Sequence, residues 1–348
     1  METVLVLAPT ETDGSLARAA LEAVAAAGSL AASLGGATFI AGLFGEKVRE
    51  AANRIAGCGA GKFLGVEGPD FARPRYGTDA AAAEAICRAA KANIIIVSGT
   101  SRMARIAAGV GFRLGGRCET HATAVSVLDG APAVNRWYYR QRMEAVLQRA
   151  QRPWVIALDP GCLEPWKGEA GSATVEAVQV EIPEACRRTK VVGLEAPSSD
   201  AQTIRPDAHL LFVAGAGWTK KQADGKAHGG EAEKLILEFL GHSKASLGGS
   251  KSLVDLSGEG QSVLRFMTHL NQVGQTGSTP RHPKGLATCC HGEEPHVVGW
   301  RFVSERRAVN LDPNCGWARG KADVVYVADA FAVMAKVNEI LRNKAAKA

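Results

Sequence analysis

A chain of 348 residues with 46% apolar content can bury two cores of ordinary size and is too long for one compact domain. Its 41 basic and 35 acidic residues leave a net charge of +6 without any run of five or six like charges, which argues against a nucleic-acid footprint. No apolar stretch approaches the roughly 18 to 20 residues that cross a bilayer. The opening METVLVLAPTETDG lacks the basic and long apolar regions of a secretory signal, and the eight cysteines have no repeated spacing, so reduced thiols in a cytoplasm are expected.

In chain order, the apolar run 3–8 reads as a strand ending at a proline, and SLARAALEAVAAAGSLAASLG, residues 15–35, spaces Ala and Leu for a helix. The pair recurs: ATFIAGLFG with a helix over 46–56, KFLGV with a helix over 78–91, and NIIIVSG with a helix over 102–114. Such alternation predicts a mostly parallel sheet with helices on both faces. After Gly115 the segments ATAVSVLDG, AVNRWYY and PWVIALDPG are separated by turns and should extend that sheet. The stretch 175–207 is poor in helix signals and polar near its end, which marks a connector. The boundary falls near residue 205, between an N-terminal α/β domain, 1–204, and a second domain, 205–348.

The second half restarts with a strand over 209–213 that runs into Gly215-Ala216-Gly217, followed by a helix over 231–241. A Gly-x-Gly after a strand lets backbone amides approach a phosphate, although glycines there are often plain turn formers and the spacing is not the full dinucleotide fingerprint. A tail helix is expected over 329–346.

The remaining motifs give the chain a resemblance. Gly248-Gly249-Ser250-Lys251, Val273-Gly274-Gln275-Thr276-Gly277, Cys290-His291-Gly292-Glu293-Glu294-Pro295-His296, Asn310-Leu311-Asp312-Pro313 and the paired Ala322-Asp323 and Ala328-Asp329 follow one another in the order seen in the α subunit of electron-transfer flavoproteins. The first half is similar to that subunit's N-terminal domain in element order and loosely around Asn135-Arg136-Trp137-Tyr138-Tyr139. The resemblance implies two Rossmann-like three-layer α/β domains, the first contacting a partner subunit and the second binding FAD. It implies that Ser250 and Lys251 face the flavin, and that Gln275, Thr276 and Gly277 run under the ring with Thr276 near N5. His291, Gly292 and His296 would serve pyrophosphate and ring, Asn310 and Asp312 the same cofactor, and Asp323 its adenosine end. The family has arginine where Lys251 stands, serine where His291 stands, and Ala-Pro-Ile-Phe where this chain has Cys315-Gly316-Trp317-Ala318.

Those residue types suit a flavin. A reduced flavin is negative at N1 and O2, so a donating histidine, here His296, stabilises it. Gly274 and Gly277 let the chain turn against a flat ring, and the Thr276 hydroxyl can donate or accept at the ring edge. Lys251 brings charge without the planar fork of arginine. Cys289, Cys290, His291, His282 and His296 also invite a metal reading, but adjacent cysteines seldom share one ion, and the expectation is no metal, with both cysteines ending a buried strand. The implied function is an electron carrier without substrate chemistry of its own. Its partners would be a β subunit holding AMP or a second FAD, flavin dehydrogenase donors and a membrane quinone reductase acceptor. The rival expectations are a scaffold subunit that has lost FAD and a permanent component of a larger redox complex.

Overall fold

The computed structural model describes residues 2–138, 143–193, 204–205, 208–255, 264–273, 281–288, 303–313 and 322–346. The chain divides into two compact units, Met1–Glu195 and Ala196–Ala348.

The first unit is built on a nine-stranded sheet. Its elements are β1 (Thr3–Pro9), α1 (Arg18–Ser33), β2 (Thr38–Gly45), α2 (Val48–Arg54), β3 (Lys62–Glu67), α3 (Tyr76–Ala90), β4 (Ile94–Ser98) and α4 (Ser101–Arg113). Then come β5 (Arg117–Leu128), β6 (Ala131–Tyr138), β7 (Met143–Gln148), β8 (Trp154–Leu158) and β9 (Val175–Ala177). The spatial order is β7-β6-β5-β8-β4-β1-β2-β3-β9, parallel except where β5, β6 and β7 form an antiparallel meander. Alternation along β1 sends Val4 and Val6 into the core under α1 and α2, and Leu5 and Leu7 into the core under α3 and α4. Both faces are therefore covered, which explains why these strands read as continuous apolar runs.

Segment 153–161 joins this sheet, but as an internal strand. Every residue of β8 is buried, and it pairs with β4 on one side and β5 on the other. An unbroken WVIAL run suits burial on two faces, whereas β5 and β7 are only partly buried and carry polar residues. Strand β7 was not among the expected elements. Nor was β9, three residues inside the expected connector, which pairs with β3 at the far edge.

The second unit contains β10 (Leu210–Ala214), α5 (Gly229–Ser243), β11 (Ser246–Gly249), α6 (Lys251–Asp255), β12 (His282–Thr288), β13 (Val303–Asn310), β14 (Val324–Val327) and α7 (Ala330–Ala345). All five strands are parallel, in the order β11-β10-β12-β13-β14. One face packs Phe212 and Leu247 against Ile236 and Phe239 of α5 and Met334 of α7, and the other gathers Leu211, Val213, Val273, Ala287 and Val303. Asn338 of α7 donates to the Leu235 carbonyl of α5 at 2.9 Å, which fixes the two helices against each other. Among the described residues no helix is long and apolar enough to cross a membrane.

Candidate functional site

A parallel sheet puts all its carboxyl ends on one edge, and in the second unit that edge gathers most of the expected residues. Register aligns Gly249, Ala214, Thr288 and Val309 in one row, with Asn310 beside Val327 one step further. The chain passes from β10 to β11 on one side and then to β12 on the other. The strand order therefore reverses at β10, and in open α/β sheets such a reversal at the carboxyl edge is the usual ligand position.

The loop after β10 forms a tight 3-10 turn, Ala216–Thr219, that buries Gly217 and Trp218. The Trp218 indole Nε1 donates to the Thr288 hydroxyl at 2.8 Å, that hydroxyl donates to the Val213 carbonyl at 3.3 Å, and Gly215 N donates to the Thr288 carbonyl at 2.8 Å. These bonds tie the ends of β10 and β12 together. The Trp218 ring also packs 4.6 Å from that of Phe331 in α7, so the turn has a rigid back wall. Gln222 then reaches back to donate to the Gly217 carbonyl at 3.0 Å.

After β11, the Ser250 hydroxyl accepts from Leu253 N at 3.2 Å and starts α6, while Lys251 forms an ion pair with Asp255. The expected free positive charge at position 251 is thus shared with a carboxylate one turn along. Val273 packs so closely on Gly248 that a Cβ there would lie 2.5 Å from its Cγ2, and Val273 N donates to the Gly249 carbonyl at 3.0 Å. Asn271 Nδ2 adds a bond to the Leu247 carbonyl at 3.2 Å. The start of the 273–277 motif, with Asn271 just before it, is therefore pinned to the carboxyl end of β11. Gln275, Thr276, Gly277, His291, Gly292 and His296 lie outside the described residues, as do Cys289 and Cys290.

At the other end of the row, Asn310 closes β13, and its Oδ1 accepts from Asp312 N at 3.0 Å, which shapes the turn carrying Asp312. Asp323 does not join this group. It precedes β14 at the amino edge, where Arg306 binds it through Nη2 at 2.8 Å and through its backbone N at 2.7 Å. The Arg306 side chain, helped by that backbone bond, holds the Asp323 carboxyl below its usual range. The residue found at the carboxyl edge is Asp329, six positions on, or about 20 Å along an extended strand. Asp329 accepts from Phe331 N at 3.0 Å to cap α7 and lines a shallow crevice with Gln222 and Asn310.

Trp218, Thr288 and Gln222 stand at this edge without having been among the expected site residues, and Asp329 was expected only as part of the second Ala-Asp, without a role of its own. Asp329 carried a usable signal, since an aspartate between a strand and a helix marks both an N-cap and a carboxyl edge. The Trp218–Thr288 bond spans 70 positions and had none.

The residue types on this edge fit a dinucleotide: Lys220 and Lys221 follow the turn after β10, Ser250 and Lys251 follow β11, and Asp312 and Asp329 follow β13 and β14. Basic and amide groups complement a diphosphate, and carboxylates accept from ribose hydroxyls. In the first unit burial, aided by Glu84, pushes the Cys87 thiol up to about 12, and burial, aided by Glu119, pushes that of Cys118 up to about 11.

Protein FixB of Clostridium saccharobutylicum is 26% identical over 349 residues, spanning 97% of this chain and 94% of that protein. The family model for the electron transfer flavoprotein domain matches residues 4–185, which runs from β1 past β9 and covers more than half of the chain. The chain belongs to the electron transfer flavoprotein family.

Proposed function

We propose that this chain is the FAD-binding α-type subunit of a heterodimeric electron-transfer flavoprotein, working in the cytoplasm as a carrier between flavin dehydrogenases and a membrane quinone reductase. The observation that supports the reading is the carboxyl edge of the second unit, where the reversal of strand order at β10, a tight turn after β10, Ser250 and Lys251 after β11 and the Asp329 cap of α7 share one edge of a parallel sheet. Bound FAD would supply the one- and two-electron capacity. Around it, the turn at Gly217 would face the diphosphate with its amides. Ser250, Lys251 and the segment Gln275-Thr276-Gly277 would hold the ring, with His291, Gly292 and His296 closing the site. Asn310 and Asp312 would bind the remaining cofactor hydroxyls, and Asp329, rather than Asp323, would take the adenosine end. The first unit would dock the β subunit.

Co-expression with a β-type partner tests this. The purified heterodimer should be yellow and release FAD on denaturation, and dehydrogenase-dependent reduction should be passed on to a quinone reductase. A colourless heterodimer that cannot be reconstituted with FAD would favour the scaffold reading, and a complex that resists high salt would favour a permanent redox assembly.

A further inference from the structure

The first unit has its own reversal of strand order. The chain leaves β1 through α1 toward β2 and β3, then returns through α3 to β4 on the other side of β1, with α1 and α3 on opposite faces. Beyond the carboxyl ends of β1 and β4 lies a cavity of about 520 Å³. That volume falls within the range of small-molecule sites, and the position is where open α/β sheets take ligands. It is separate from the flavin reading, which concerns the other unit.

The lining has donors in surplus. Arg73 and Arg105 are exposed and, among the described residues, neither meets a carboxylate, while Glu11 is the acid among the described lining residues. Arg102 is fixed as part of the wall: it binds the buried Asp79 carboxylate at 2.8 and 2.9 Å and donates to the Phe71 carbonyl at 2.7 Å. Ser98 is 3% exposed, and its hydroxyl meets that of Thr100 at 3.4 Å. Thr100 caps α4 through Met103 N, which leaves the amides of Ser101 and Arg102 without an acceptor among the described residues. The amino end of α1 has no capping side chain, and Ala17 and Ala20 line the same cavity. Two unpaired guanidinium groups, several hydroxyls and two helix amino ends facing one space complement a dianionic phosphate. Pro9, Ala17, Ala20, Ala72 and Pro74 supply an apolar wall that a phosphate ion alone would leave bare.

We propose that this cavity binds a phosphomonoester of mononucleotide size, its phosphate held by the α4 amino end with Arg73 and Arg105, and its remaining part on the apolar wall. The test is calorimetric titration of the full-length protein with inorganic phosphate, ribose 5-phosphate and purine and pyrimidine ribonucleoside 5′-monophosphates. At least one nucleotide should bind with a Kd below about 100 µM, with inorganic phosphate weaker by about tenfold or more. The double variant Arg73→Ala/Arg105→Ala, which removes only exposed side chains, should melt like the parent and lose about tenfold or more in affinity. Hydrogen exchange at Ser101 and Arg102 should slow on nucleotide binding. No binding of any probe at about 1 mM, or unchanged affinity in the double variant, would overturn the site. Inorganic phosphate binding as tightly as the nucleotides would overturn the assignment of the apolar wall.

Discussion

Replacing Trp218 by phenylalanine removes one buried donor and leaves the rest of the side-chain environment in place. The Thr288 hydroxyl then keeps its bond to the Val213 carbonyl but loses the indole N–H that it accepts at 2.8 Å. Losing that bond and stranding its acceptor costs about 1–3 kcal/mol. The smaller ring leaves a void of roughly 40 Å³, which at about 24 cal/mol per Å³ adds about 1 kcal/mol. Together, Trp218→Phe should destabilise the second unit by about 2–4 kcal/mol. Trp154, fully buried in β8 of the first unit, provides the control because its Nε1 has no hydrogen-bond partner. Trp154→Phe creates a similar void and removes an unsatisfied donor, so it should cost its unit about 1 kcal/mol or less. Hydrogen exchange at β10 and β12, against β4 and β8, reads each unit separately, which matters because two units need not unfold in one step. Trp218→Phe/Thr288→Val should show a coupling of about 0.5–1.5 kcal/mol. Equal costs for the two tryptophan variants, with no coupling, would refute the assignment of the bond.

Asp79→Asn breaks a carboxylate–guanidinium pair that is fully buried on the Asp79 side and should cost the first unit about 3–5 kcal/mol in urea unfolding, with part of the loss recovered when Arg102→Met is added. Asp70 is held below the usual carboxylate range by Arg187 first and Arg75 second. Its stabilising effect is therefore complete above the unfolded value of about 3.9 and is lost as pH falls through the lower folded value. Asp70→Asn should thus be less stable than the parent at neutral pH, with the gap closing in acid, and a gap independent of pH would contradict the pairing. In the second unit, Asp323→Asn should lower stability while leaving flavin content intact, whereas Asp329→Asn should keep most of the α7 cap and weaken FAD retention by about tenfold or more, measured by ultrafiltration. Equal retention in the two variants would contradict a cofactor role for Asp329.

The alternation of strand and helix from β1 to α4 was legible because both faces of that sheet are covered and each element carries its own period. Past Gly115 only local pattern was available, and local pattern does not rank neighbours. The run WVIAL announces a strand but not that it inserts between β4 and β5, since that choice is made by pairing partners more than thirty positions away. Strand β9 had no signal at all: three residues, mostly exposed, gain their strand character only by lying against β3. Short edge strands take their definition from the neighbour they complete, and residues 175–177 on their own read as a connector.

The candidate site was legible in its residue types and less so in which of them stand together. The repeated Ala-Asp offers two aspartates, each preceded by alanine, and the resemblance assigns the adenosine end to the first. What separates them is strand direction. Four residues of β14 carry the chain from one edge of the sheet to the other, so the first aspartate meets the Arg306 backbone and side chain, and the second meets the amino end of α7. All five strands being parallel, only the second shares an edge with Ser250, Thr288 and Asn310. The same rule accounts for Lys251, which stands at the correct edge yet faces Asp255 one turn along its own helix, so its charge reaches any ligand already partly compensated. In a parallel sheet, the position of a residue relative to the end of its strand therefore decides whether it can serve the site, and its chemical type decides only what it does there.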